Sequence, residues 1–221
     1  MVNANTITVD GPSGIGKGTL ARKLSELLKY ELLDSGAIYR LAVLHCLNAN
    51  IDIDNINNVS KHLENFDIKF EASGTGLIIY LDSNIVTSKI RTEEIGMHTS
   101  KIATYPIVRE MLFEKQKSFA TEKGLVADGR DMGTVVFPNA KFKFFLEASS
   151  EVRAQRRFDE LQAKGQNTSF QVIKADIEKR DYQDRNRKIA PLKPADDAII
   201  VDTSKLSINE VFEIVMSNIN K

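Results

Sequence analysis

Apolar residues recur at two different periods along the chain, and the switches between them outline its elements. Thr6-Ile7-Thr8-Val9 reads as a short buried strand. After a glycine-rich stretch, Leu20, Leu24, Leu27 and Leu28 recur at helical spacing and predict a helix over 17–29. Glu31-Leu32-Leu33-Asp34 is a second short strand. Ile38, Leu41, Leu44 and Leu47 then mark a helix over about 36–49, with Ser35 as its expected cap. Strand, loop and helix followed by another strand and helix predict an α/β chain, with a parallel sheet flanked by helices.

The pattern changes after Asn50. Residues 51–65 are rich in Asn and Asp, with a helix expected near 55–64. Asp67–Glu71 alternates polar and apolar, as does Gly76–Asp82 less cleanly, and Asn84–Thr87 is a third short run. Turns at Ser73-Gly74-Thr75-Gly76 and Asp82-Ser83-Asn84 separate them, so a small antiparallel β insertion is predicted. Helices are expected over 91–103 and, with Pro106 in its first turn, 106–122.

Leu125-Val126-Ala127-Asp128 restores the buried-strand pattern, and Lys141–Leu146 repeats it. Helices follow over 149–163 and 168–182, then a strand at 198–201 and a closing helix over 207–219 capped by Ser207. The main sheet should therefore hold about five strands, a common size.

Composition narrows the class. The chain has 221 residues, 42% hydrophobic, enough for a substantial core. Thirty basic residues balance thirty acidic ones, so no global field suggests nucleic acid or a membrane surface. No apolar run approaches the length of a membrane span, and no signal segment is expected. The lone Cys46 excludes an intramolecular disulfide and fits a reducing cytoplasm; its apolar neighbours make it a core residue. His45, His62 and His98 lack metal-ligand spacing.

The chemistry begins at Gly11-Pro12-Ser13-Gly14-Ile15-Gly16-Lys17-Gly18-Thr19. A strand runs into this glycine-rich turn and leaves it as a helix, the context a phosphate-binding loop requires. Backbone N–H groups and the helix N-terminus can cradle an anion, and Lys17 adds a charge that can follow the phosphates. Gly18 displaces the hydroxyl to Thr19, one place later than in G-x-x-x-x-G-K-[ST]. Thr19 is therefore only a candidate Mg²⁺ contact, and no all-protein metal site is expected.

In open α/β sheets, ligands bind beyond the carboxyl ends of the strands. That rule selects Asp34-Ser35, with Tyr39 and Arg40 one turn on, and Asp128-Gly129-Arg130-Asp131. A second polar concentration carries Arg153, Arg156 and Arg157 on one helix and Arg180 to Arg187 at the end of the next. Helical spacing would put Arg180, Asp184 and Arg187 on one face. Alone, such a run is a solvated face laced with ion pairs. Beside a phosphate loop it suggests a lid, two helices joined by the flexible Lys164-Gly165-Gln166-Asn167, that brings arginines over a transferring phosphoryl group and excludes water.

Together these motifs resemble the nucleoside monophosphate kinases, and among them the bacterial cytidylate kinases. The resemblance rests on residues 11–19 and on Leu33–Arg40, Ile90-Arg91-Thr92-Glu93, Asp128–Pro138, and Arg180-Asp181 with Asp184-Arg185-Asn186-Arg187. Gly18 agrees with that family. The resemblance implies one domain in three parts: a core (about 1–35, 104–150 and 190–221), a monophosphate-binding part with the β insertion (about 36–103), and a lid (about 151–189). It implies transfer of the γ-phosphoryl of ATP to CMP or dCMP, with Mg²⁺, by a cytoplasmic monomer in pyrimidine nucleotide metabolism. Ser100, Arg109 and Asp131 would face the cytosine. Arg40 and Arg130, joined by Arg187, would hold the acceptor phosphate. Arg180 and Asp184 would lie near the sugar, with Ser35 and Tyr39 lining the pocket. Lys17, Arg153 and Arg157 would neutralise the moving charge, and Asp128 would orient waters on Mg²⁺. Two other readings remain open: a kinase for another nucleotide or metabolite, and a nucleotide switch. The chain lacks the guanine-reading Asn-Lys-x-Asp run expected of a switch GTPase.

Overall fold

Five parallel strands form the central sheet in the order β2-β6-β1-β7-β8. They are β1 (Thr6–Asp10), β2 (Glu31–Asp34), β6 (Leu125–Gly129), β7 (Phe142–Glu147) and β8 (Ile199–Asp202). The structure is a computed structural model that describes residues 5–64, 66–73 and 76–220. β1 and β6 are buried along their whole length, as central strands covered on both faces must be. β3 (Ile68–Ser73), β4 (Gly76–Leu81) and β5 (Asn84–Ile85) form the expected antiparallel sheet. Gly74 and Thr75 of the expected turn lie outside the described residues.

Eight α-helices are described: α1 (Lys17–Leu28), α2 (Ser35–Asn48), α3 (Ile56–Leu63), α4 (Glu93–Ile102), α5 (Pro106–Lys117), α6 (Ser150–Ala163), α7 (Phe170–Asn186) and α8 (Ile208–Ile219). On one side of the sheet, α2 to α5 share an apolar core with the small antiparallel sheet; Ile38, Leu41, Ile79, Leu81 and Leu112 belong to it. On the other, α1 and α8 pack through Leu20, Leu24, Val211 and Val215. α6 and α7 enclose a third cluster of Ala154, Leu161, Ile173 and Ile177.

Several elements differ from the sequence expectation. Asp34, not Ser35, caps α2: its Oδ1 accepts the Ala37 N–H at 2.9 Å. Ser35 is the first helical residue, and its buried hydroxyl donates to Gln116 Oε1 at 2.7 Å. A carboxylate is the stronger acceptor for an exposed helix N–H, so it takes the cap. The helix expected over 91–103 is two pieces, a 3₁₀ turn at Lys89–Arg91 and α4. Thr92 breaks them apart because it adopts extended backbone and caps α4. α7 runs on to Asn186, so Arg187 lies just beyond the helix rather than on a shared face with Arg180 and Asp184. Ser207 caps α8 as expected, reciprocated by Glu210 in a capping box.

Cys46 is buried in the α2 core, and burial pushes its thiol up to about 11, so it is inert. The histidines are less scattered in space than in sequence. The rings of His45 and His62 stack with centroids 4.3 Å apart, and His45 Nδ1 lies 3.1 Å from Asp82 Oδ2. Among the described residues, no group of three His, Cys, Asp or Glu side chains is placed to hold a metal ion. No described helix is long and apolar enough to cross a membrane.

Candidate active site

The strand order decides which groups meet. β1 lies between β6 and β7, and β2 lies beside β6, so the carboxyl ends of β1, β6 and β2 open on one crevice. A cleft of about 330 Å³ is found there, lined by Lys17, Thr19, Asp34, Leu77, Arg91 and Asp128 among others. Leu77 belongs to β4, so the small sheet helps to wall the cleft.

The loop between β1 and α1 turns through Gly14 and Gly16, at φ 75° and 94°. Those left-handed conformations turn successive N–H groups toward one point, the form of an anion-binding nest. Lys17 is buried, and its Nζ donates to the Pro12 carbonyl of the same loop at 2.8 Å. Gly18 faces β6: a Cβ there would lie 3.4 Å from Asp128 Oδ2, at van der Waals contact.

Burial drives the charge states here. The Lys17 ammonium is pulled down to about 8, first by burial and then by Arg130, while Asp128 and Asp10 act the other way. Burial pushes the Asp128 carboxyl up to about 7; Lys17 opposes this and Asp34 adds to it. The cleft therefore holds an ammonium and a carboxyl that both titrate near neutrality, a pattern concentrated at functional sites.

Beyond β6, the side chains of the Arg130-Asp131 segment diverge. Arg130 Nε donates to Asp184 Oδ2 of α7 at 2.7 Å. Asp131 is buried between Arg109 of α5, which donates to its Oδ2, and Arg187, whose Nη2 is 3.7 Å from its Oδ1. That same Arg187 Nη2 is buried without a hydrogen-bond partner. The Arg109 guanidinium lies over the Tyr39 ring, 6.0 Å from its centroid. Burial pushes the Tyr39 phenol up to about 12, so it stays neutral.

A second group lies over α4. Arg40 Nη1 donates to the Ile90 carbonyl at 2.8 Å. A Cβ on Gly96 would stand 3.4 Å from Arg180 Nη2 and 3.6 Å from Arg40 Nη2, so both guanidiniums converge on that glycine. Burial, then Arg180, pulls Arg40 down to about 10, the mark of two cations held close together. Ser100 lies one turn along α4, and its hydroxyl donates to the Gly96 carbonyl at 3.2 Å.

The arginines of α6 have other partners. Arg153 is 3% exposed, donates to Ser13 O at 2.9 Å and Ala148 O at 3.1 Å, and forms a bidentate pair with Asp181. It braces the phosphate loop against α7. Arg156 donates to the Thr203 and Leu206 carbonyls. Arg157 is exposed and pairs with Glu160 at 2.8 Å.

Of the residues singled out in the sequence, Lys17, Asp128 and Arg130 influence one another's charge, and Asp131, Arg109 and Tyr39 are in contact beside them. Sequence reasoning gives no part to Gln116, which receives the Ser35 hydroxyl, or to Arg91 on the cleft wall. Gln116 carries no sequence signal, being one polar residue on a helix. Arg91 stood within a recognised motif and could have been assigned.

A nucleotide-phosphate loop facing a nearby gathering of arginines, at the switch point of a parallel sheet, is the arrangement of a P-loop phosphotransferase. The cytidylate kinase family model matches residues 7–221. A cytidylate kinase of Pasteurella multocida is 48% identical over 221 residues, 100% of this chain and 97% of that protein. One from Mannheimia succiniciproducens is 50% identical over 97% of this chain and 96% of its own length. Cytidylate kinase 1 of Haemophilus influenzae is 49% identical over 97% of this chain and 93% of its own length. The chain belongs to the cytidylate kinase family.

Proposed function

We propose that this protein transfers the γ-phosphoryl group of ATP to CMP or dCMP, giving ADP and CDP or dCDP. The observation that carries this reading is the cleft itself, where the Lys17 loop, Asp34 and Asp128 at two strand ends, and Arg91 open on one space. The loop Gly11–Thr19 binds the donor phosphates, with its N–H groups and Lys17 countering their charge. Lys17 exchanges its bond to the Pro12 carbonyl for one to a phosphate oxygen.

Arg40 and Arg130, with Arg187, hold the acceptor phosphate. The Nη2 of Arg187 supports this: it is 3.7 Å from Asp131 Oδ1 but buried without a hydrogen bond, and a buried donor left unbonded is costly. The convergence of Arg40 and Arg180 supports an anionic ligand nearby. The acceptor oxygen is already anionic, so no general base is needed, and catalysis is positioning plus charge stabilisation.

Asp131 or Ser100 accepts from the cytosine N4 amino group, while Arg109 donates to O2 or N3. Uracil presents the opposite pattern at N3 and at position 4, which leaves buried groups unpaired. Ser35 and Tyr39 line the pocket, and Arg180 and Asp184 lie near the sugar. Mg²⁺, held through ATP phosphates and water, would supply further charge neutralisation, with Asp128 and Thr19 the residues fitted to orient its waters. Arg153 and Arg157 of a lid spanning 151–189 complete the donor site only after α6 and α7 shift, since each guanidinium is now paired.

A coupled ADP-release assay across the common nucleoside monophosphates tests the reading. CMP and dCMP should be the fastest acceptors; faster turnover of UMP or AMP at equal concentration overturns the base assignment.

A further inference from the structure

Asp10 is a buried carboxylate without a task in the transfer chemistry above. It ends β1, directly before Gly11, and is 5% exposed. Thr6, Thr8 and Asp10 alternate along one face of β1. A π-helical turn at Met132–Val136 lies on that face. A Cβ on Gly133 would meet Thr8 Oγ1 at 2.9 Å and Asp10 Oδ2 at 3.3 Å, so only glycine allows this approach.

Asp10 Oδ1 accepts the Met132 N–H at 2.9 Å, and Oδ2 accepts the Gly133 N–H at 2.7 Å. These are the two amides that immediately follow Asp131. On its other side, the Asp131 carbonyl accepts from Val135 N at 2.9 Å and Val136 N at 3.2 Å. The Asp131 backbone is thus gripped both by the turn and by the strand that leads into the phosphate loop. Burying a carboxylate this deeply is costly. Burial pushes Asp10 up to about 6, and its two amide bonds only partly offset that. Thr6 Oγ1 and Thr8 Oγ1 on the same face have no hydrogen-bond partner, so the carboxylate is not one member of a polar network spread along the strand.

We propose that Asp10 is a positioning residue for the acceptor base: by holding the Met132 and Gly133 amides it sets the depth at which Asp131 meets that base. The inference rests on the assignment of Asp131 to the cytosine. It also makes β1 a common reference for donor and acceptor, with the phosphate loop leaving its end and the base-reading arm tied to its last side chain. A displacement of about 1 Å at such an arm can cost on the order of a hundredfold in rate.

Asp10→Asn preserves the shape but turns one acceptor into a donor that faces an N–H. KM for CMP should rise about tenfold, the preference for CMP over UMP should fall, and KM for ATP should stay within about twofold. In an Asp131→Ala background, the effect of Asp10→Asn on CMP should disappear. Gly133→Ala presses the turn away from Thr8 and Asp10, stretching the Gly133 N–H bond to Asp10 Oδ2, and should give the same acceptor-selective change, a second test that leaves the carboxylate in place. Equal changes in both KM values, or an Asp10→Asn effect on CMP undiminished without Asp131, overturn it. So does wild-type behaviour of Gly133→Ala in both KM values. If Asp131→Ala leaves the CMP preference intact, the base assignment fails and takes the inference with it. If that control behaves and Asp10→Asn does not, only the inference fails.

Discussion

Lys17 and Asp128 share the cleft, and burial displaces both toward their neutral forms. The Asp128 carboxyl, at about 7, holds its proton in the folded chain over a range where the unfolded chain, near 3.8, has released it. Its contribution to stability is therefore fully present below about pH 4 and is lost as pH rises through about 7. Asp128→Asn should stabilise the protein at about pH 8 by a few kcal/mol, with little effect at about pH 3, as urea unfolding at the two pH values would show. Lys17→Met should lower turnover by at least about a hundredfold while far-UV circular dichroism stays unchanged. Normal turnover would remove the loop's assignment. The chemistry of both residues is legible in sequence because strand ends and loop spacing mark them. The clamp by Asp10 is not, since its partners lie over a hundred residues further on, at Met132 and Gly133.

At the scale of elements, sequence periodicity locates the strands and misplaces the ends of some helices. Residues 183–186 continue α7 without an apolar repeat, so periodicity loses the helix there although Asn186 Nδ2 still bonds the Tyr182 carbonyl at 2.8 Å. The π-helical turn leaves no periodic trace, because it is held from outside by Asp10. His45 and His62 meet only because α2 and α3 pack together. Asp34→Ala removes the cap of the helix that carries Tyr39 and Arg40, and should cost about 1 kcal/mol in chemical denaturation. Arg153→Ala leaves Asp181 without its partner in a site where the arginine is almost wholly buried, and should cost about 3 kcal/mol or more. The loss should be concentrated in α6 and α7, where hydrogen exchange would accelerate before that of the sheet.

Over the whole molecule, two apolar cores flank the sheet and a third is confined to α6 and α7. The ties from that helical pair to the rest include Arg153 to Ser13 O, Arg156 to Thr203 O and Leu206 O, and Arg130 to Asp184. All of these are polar. An architecture of a parallel sheet, a β insertion and an arginine-bearing helical pair is readable in the sequence. The division of the apolar residues into three clusters is not, because helical spacing gives a buried face without naming what covers it. Apolar surface exposure is the source of the large heat-capacity change in unfolding. Parting this hairpin from the sheet along polar ties would therefore change heat capacity little. Its free energy of separation would vary almost linearly with temperature, while the stability of the two flanking cores follows a dome. One chain would then carry two thermal responses, and warming would shift their balance without any change in its contacts.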